Sequence, residues 1–362
     1  MDYSARQGRI TSWLAENKVD CLLLTRMTNI RYLTGFTGSA GFLLASADGF
    51  RLLVDFRYAT QAAEQTSGID IDGSSAPPQL WASLLGELAG SRLRLAFEEL
   101  TLTVGQLADL RENSPAADLV PTQNLVEGMR VIKDPDEVAL LRQAAQVADT
   151  VIGEIKSAVA PGMTENELAG EIERWQRRLG AERSMAPLIV ASGERSALPH
   201  GVASPKVIGW DEPLMVDISP VIGGYRADLT RTFYLGKADP EFAKMYRVVR
   251  EAQAIGQYAI RPGVPCREAD KQARDHITRA GYGELFNHSL GHGIGLDQHE
   301  PPRLSPHDRG ILAAGMVVMI EPGIYRRGLF GARLEDAVLV TEDGCELLWS
   351  SDREMCELPG TS

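Results

Sequence analysis

Short apolar runs of strand length punctuate the first third of the chain. They fall at residues 21–24, 41–44, 52–54 and 93–97. Residues 4–16 and 80–88 instead space their apolar side chains at helical intervals. This alternation predicts a small α/β domain over residues 1–125. The glycine-rich stretch from Gly35 to Gly41 reads as a turn between strands. It is not a phosphate loop, because no Gly-x4-Gly-Lys pattern follows it.

A new helix is predicted at Asp134. That residue can cap it, Pro135 suits the first turn, and Glu137 completes a capping-box spacing. Val138, Leu141, Ala145, Ala148, Ile152 and Ile155 then recur at helical spacing. The domain boundary is therefore placed near residue 125, with a second domain over residues 126–362. This second domain contains a faint duplication. Each part runs helix, Pro-Gly turn, helix, closing glycine, and the pairs Pro161/Pro262, Gly162/Gly263 and Gly180/Gly281 lie 101 residues apart. After each part come two strand patterns bearing acids, Asp217 and Asp228 in the first, Glu321 and Glu335 in the second. Two copies are too few for a solenoid. They imply a pseudo-twofold domain that brings two acid pairs together. The fold class is mixed α/β (α+β).

A length of 362 residues agrees with two domains. The formal net charge of −12 repels nucleic acid and anionic lipid, so neither is an expected partner. Cys21, Cys266, Cys345 and Cys356 form no C-x-x-C pair, which suits buried thiols in a reducing compartment. Residues 1–20 lack a basic start followed by an apolar run, so no signal peptide is expected. No run approaches ~18 apolar residues, so no membrane span is expected either. These features predict a cytoplasmic protein.

Asp217 and Glu321 sit inside apolar strand patterns, Leu214-Met215-Val216-Asp217-Ile218 and Val317-Val318-Met319-Ile320-Glu321. A buried carboxylate there needs a cation, a hydrogen-bond network or a metal. A salt bridge to arginine serves any single acid, but four acids in matched positions favour a shared cation site. Of the six histidines, His276 falls in a helical pattern and His307 in a polar loop, and neither is assigned to the site. His288, His292 and His299 lie among glycines, which let backbone and ligands approach closely. His200 lies in another turn bounded by proline and glycine. An oxygen-rich set with an imidazole favours Mn²⁺, Co²⁺ or Zn²⁺. Four carboxylates roughly offset two divalent cations, which can make water nucleophilic.

The segments VDISPVIGGYRADLTRTF, GHGIGLDQHEPPRL, MIEPGIY and ARLEDAVLVT resemble the pita-bread metallopeptidase family. That family includes Xaa-Pro dipeptidase (prolidase), aminopeptidase P and methionine aminopeptidase. GFTGSAG with Asp55-Phe56-Arg57-Tyr58 is similar to the creatinase-like N-terminal domain of its Xaa-Pro branch. The resemblance implies a ligand set of Asp217, Asp228, His292, Glu321 and Glu335 around two divalent ions, Mn²⁺ first among them. Asp217 would hold one ion, His292 and Glu321 the other, and Asp228 and Glu335 would bridge. Glu321 would also act as general base. His299 and His200 would hold the substrate carbonyl and the leaving imino nitrogen. Arg333 would support the site and Thr230 would hydrogen-bond a ligand. Arg303 matches an arginine that binds the free carboxylate of a dipeptide. Ala332 departs from the branched residue of many relatives, with little consequence expected. The implied substrates are short proline-containing peptides, with dipeptides slightly favoured, and the implied assembly is a homodimer. Methionine aminopeptidase, creatinase-like amidinohydrolase and an inactive binding protein are the alternatives. The N-terminal domain and Arg303 argue against the first, and retention of all five ligands argues against the last.

Overall fold

The computed structural model describes residues 1–184 and 187–358. It divides into two units, Met1–Arg130 and Val131–Ser362. The first unit runs α1 (Tyr3–Asn17), β1 (Cys21–Leu24), α2 (Met27–Thr34), β2 (Phe42–Ser46), β3 (Gly49–Asp55), α3 (Ala59–Gln65), β4 (Asp70–Ser75), α4 (Leu80–Leu88), β5 (Arg94–Glu98), α5 (Val104–Asn113), β6 (Asp118–Thr122) and α6 (Leu125–Arg130). Its six strands form one mixed sheet in the order β4-β3-β2-β1-β5-β6. Strand β1 is buried along its whole length, which is why it reads as an unbroken apolar run.

The glycine-rich stretch from Gly35 is not a turn between strands. It connects helix α2 to strand β2, and Gly35 ends the helix in the left-handed conformation at φ 81°. Helix α2 escapes a local reading because its N-terminal residue Arg26 supplies no side-chain cap. The carboxylate of Glu98, far along the chain, accepts instead from the N–H groups of Thr25 (2.6 Å) and Arg26 (2.8 Å).

The second unit opens with α7 (Pro135–Ala158), α8 (Glu165–Arg178), β7 (Ile189–Ser192), β8 (Glu212–Ile218), β9 (Val221–Ile222), β10 (Tyr225–Arg226) and β11 (Leu229–Leu235). It continues with α9 (Pro240–Ala259), α10 (Cys266–Arg279), β12 (Gly291–Gly293), β13 (Glu300–Leu304), β14 (Val317–Ile320), β15 (Gly323–Arg326), β16 (Phe330–Arg333), β17 (Asp336–Val340), β18 (Cys345–Leu347) and β19 (Glu357–Leu358). The capping box forms as read, with Glu137 N–H donating to Asp134 (2.9 Å) and Asp134 N–H to Glu137 (3.0 Å).

The duplication is real at the level of hydrogen bonds. Gly162 N–H donates to Ile208 and Gly263 N–H to Leu312, at 3.0 and 2.8 Å. Gly180 and Gly281 each follow a second helix with φ 95° and 89°, a backbone region costly for other residues. Its two larger sheets have the orders β19-β11-β8-β7 and β13-β12-β14-β17-β18. In the first, Asp217 pairs with Thr230, and in the second, Ile320 pairs with Asp336. Each register brings its two acids to neighbouring strand ends. No helix among the described residues is long and apolar enough to cross a membrane.

Candidate metal centre

Asp217 lies near the end of β8, and Asp228 immediately precedes β11. Glu321 immediately follows β14, and Glu335 immediately precedes β17. His292 is the central residue of β12. Its flanking glycines are demanded by close strand approach. A Cβ at Gly291 would stand 1.8 Å from the Met319 carbonyl oxygen, and one at Gly293 2.3 Å from that of Pro301. All five side chains line one cavity of about 820 Å³. Ligand atoms of Asp228, His292 and Glu335 lie within 4.8 Å of one another. Glu321 joins them, with Oε1 3.6 Å from His292 Nε2. Asp217 is tied in by Arg333, which donates to its Oδ2 at 2.6 Å.

Asp228, Glu321 and Glu335 resist ionisation together. Burial, then the charges of Glu335 and Asp217, hold the Asp228 carboxyl well above the usual range. Burial and Glu335 do the same to Glu321. Burial and Asp217 push Glu335 up to about 8. Burial lowers His292 to about 3, so its imidazole is neutral and able to ligate. Its Nδ1 lies 3.0 Å from the Gly293 carbonyl, which leaves Nε2 facing the acids. Asp217 Oδ1 and Asp228 Oδ1 are buried with no hydrogen-bond partner among the described residues. Clustered acids, orphaned oxygens and a neutral imidazole are what divalent cations satisfy, so the residues present fit a metal pair.

The remaining expected residues surround this cluster. Arg333 also donates to Thr230 Oγ1 (3.0 Å), the Pro199 carbonyl (2.8 Å) and Tyr325 Oη (3.1 Å). Thr230 Oγ1 donates to Glu335 Oε2 at 2.6 Å. His299 and His200 line the cavity. The His299 ring centroid is 4.3 Å from that of His292, and burial followed by the Arg303 charge lowers its pKa. Arg303 also lines the cavity, directly across the β12–β13 ladder from His292. His276 lies on α10 against Glu251 at 3.1 Å, and neither it nor His307 lines the cavity.

Three lining residues carry no role in the sequence reading. His288 Nε2 meets Tyr325 Oη at 3.2 Å, and burial lowers that imidazole to about 4. Its position among the glycines of its segment is the one available signal. Tyr325 stands four residues after Glu321 with nothing local to mark it. Gln298 donates from Nε2 to Asp228 Oδ2 at 3.0 Å, a contact no spacing rule could suggest.

Comparison with known proteins places this geometry. The model of metallopeptidase family M24 matches residues 139–342, and that of the Creatinase/Prolidase N-terminal domain matches residues 6–132. An Xaa-Pro dipeptidase of Pyrococcus horikoshii is 32% identical over 349 residues, 96% of this chain and 97% of that protein. The structure of an Xaa-Pro dipeptidase from Bacillus anthracis superposes with a TM-score of 0.92 at 38% identity, covering 99% of this chain and 100% of that one. That of an X-Pro aminopeptidase from Thermotoga maritima gives 0.89 at 32% identity, with 97% and 99% covered.

Proposed function

The chain belongs to metallopeptidase family M24, and from that premise we propose that it hydrolyses the bond between an N-terminal residue and a following proline, in dipeptides first and short peptides next. The single observation that carries this reading is the convergence of Asp217, Asp228, His292, Glu321 and Glu335 on one cavity, with two buried carboxylate oxygens unpartnered among the described residues. Relatives that are Xaa-Pro dipeptidases along nearly their whole length support the substrate class. The X-Pro aminopeptidase neighbour keeps longer peptides within range.

Those five residues would hold two divalent cations, of which Mn²⁺ suits the oxygen-rich set. When bound, such ions supply Lewis acidity, which eases deprotonation of water and polarises a carbonyl. The chain's own groups do the rest. Glu321, with its side chain 17% exposed to the cavity, accepts the proton of the attacking water. His299 donates to the scissile carbonyl oxygen, and His200 hands a proton to the leaving imino nitrogen. Arg333 holds the Asp217 carboxylate in place from behind. An Xaa-Pro bond has no N–H for a peptidase to grip, so it must be fixed by shape and by its ends. Arg303 is placed to grip the free carboxylate of a C-terminal proline through its planar fork.

We further infer a homodimer, by likeness to the family. A cytoplasmic setting is supported by four cysteines that form no disulfide. Light scattering at about twice the 39.4 kDa chain mass would bear out the dimer, and a monomer would refute it. The activity is tested by assaying Ala-Pro, Ala-Pro-Ala, Met-Ala-Ser and creatine side by side with Mn²⁺, Co²⁺ and Zn²⁺. Hydrolysis of the two proline peptides alone is expected. Turnover of Met-Ala-Ser or creatine ahead of them would overturn the reading.

A further inference from the structure

Three of the cluster's carboxylates have one oxygen held by a donor, and each donor comes from the opposite half of the duplicated unit. Asp217, of the first half, accepts from Arg333 of the second. Glu335, of the second, accepts from Thr230 of the first. Asp228, of the first, accepts from Gln298 of the second. Arg333 and Thr230 stand on strands, whereas Gln298 stands in the turn joining β12 to β13.

We propose that Gln298 is a positioning residue for Asp228, orienting its carboxylate so that Oδ1 is presented to a divalent cation. This rests on reading the cluster as a metal centre. Oδ2 is engaged by the amide while Oδ1 is buried and free. No other donor among the described residues reaches this carboxylate. An ionised carboxylate only accepts, so the amide must turn its nitrogen toward it. A neutral donor orients the acid without offsetting the charge that a cation would meet, as a lysine there would.

The turn itself is fixed from below. Asp297 N–H donates to Glu300 Oε1 (3.0 Å), Gly295 N–H to the Asp297 carbonyl (3.1 Å), and Arg226 N–H to the Gly295 carbonyl (3.0 Å). Glu300 is in turn paired with Lys133 at 3.0 Å, both side chains almost wholly buried. A Cβ at Gly295 would stand 2.8 Å from both Glu300 oxygens, so the glycine lets the turn close over that carboxylate. The amide of Gln298 therefore springs from a rigid backbone, which is what an orienting contact requires.

The test uses Gln298→Met, which keeps length and removes the donor. Full-length protein is stripped with EDTA, desalted and titrated with MnCl₂ by calorimetry, and the melting temperature is read with and without Mn²⁺. The expected result is a roughly tenfold loss of Mn²⁺ affinity with a metal-free melting temperature close to wild type. In an Asp228→Ala background the same substitution should have no further effect on affinity. Unchanged affinity in the single variant, or an equal loss in the Asp228→Ala background, overturns the proposal. A wild type that takes up no Mn²⁺ overturns the metal-centre reading, and this inference with it.

Discussion

Arg333→Met should destabilise the metal-free protein at both pH values, and more at pH 8 than at pH 5. The guanidinium is 3% exposed and donates to Asp217, Thr230, Tyr325 and the Pro199 carbonyl. It is a buried positive charge whose side chain donates directly to a carboxylate of the acid cluster. Removing one partner of a buried pair costs about 3–5 kcal/mol when the other stays ionised. Glu321 and Glu335, whose ionised forms Arg333 favours, can escape that cost by taking up protons. Glu335 has a folded pKa of about 8 against an ordinary 4.5, so the native state binds more protons than the unfolded chain between those values. Stability that such a group lends is therefore complete below its unfolded pKa and lost as pH rises through the folded one. Loss of Arg333 raises the cluster's pKa values further and steepens that fall. The hydrogen bonds are lost at either pH, at about 1 kcal/mol each, and the charge penalty adds to them at pH 8. Urea unfolding of EDTA-treated protein at the two pH values measures the difference, and saturating Mn²⁺ should shrink the pH 8 loss. A penalty equal at both pH values, or insensitive to Mn²⁺, would refute the electrostatic reasoning.

Arg303→Ala should raise KM for Ala-Pro by ~10-fold or more, the worth of a charge-assisted hydrogen bond, and change Ala-Pro-Ala less; initial rates on both peptides decide, and equal effects would remove its carboxylate role. Lys133→Met leaves Glu300 without its 3.0 Å cation and should cost about 3 kcal/mol of stability in urea unfolding. His276→Ala, outside the cavity on α10, should leave kcat/KM within about twofold of wild type, and an inactive variant would show the site to be wrongly bounded.

Asp217 and Glu321 were legible because each stands in an apolar strand pattern, where a lone charge needs explaining, and Asp228 and Glu335 because they recur in matched positions of the duplication. The duplication was legible because Pro-Gly turns and closing glycines answer local backbone demands that recur wherever the unit recurs. Helix α2 was not, since the chain leading into it is held by Glu98 from another strand, through the N–H groups of Thr25 and Arg26, rather than by a capping side chain beside it. Gln298, Tyr325 and His288 were illegible as site residues for the same kind of reason. Their roles arise from what the fold sets opposite them: Asp228 for Gln298, and Arg333 and each other for Tyr325 and His288. Arg333 and Thr230 could be named only through resemblance, although each donates to a cluster carboxylate at 2.6 Å.

The most direct test is elemental analysis of desalted protein after Mn²⁺ loading, on wild type beside Glu321→Ala and His292→Ala. The expected result is about two Mn²⁺ per wild-type chain, fewer in both variants, and no Ala-Pro hydrolysis by either. Wild-type protein that retains no divalent ion, or variants that keep both the metal and the activity, would contradict it.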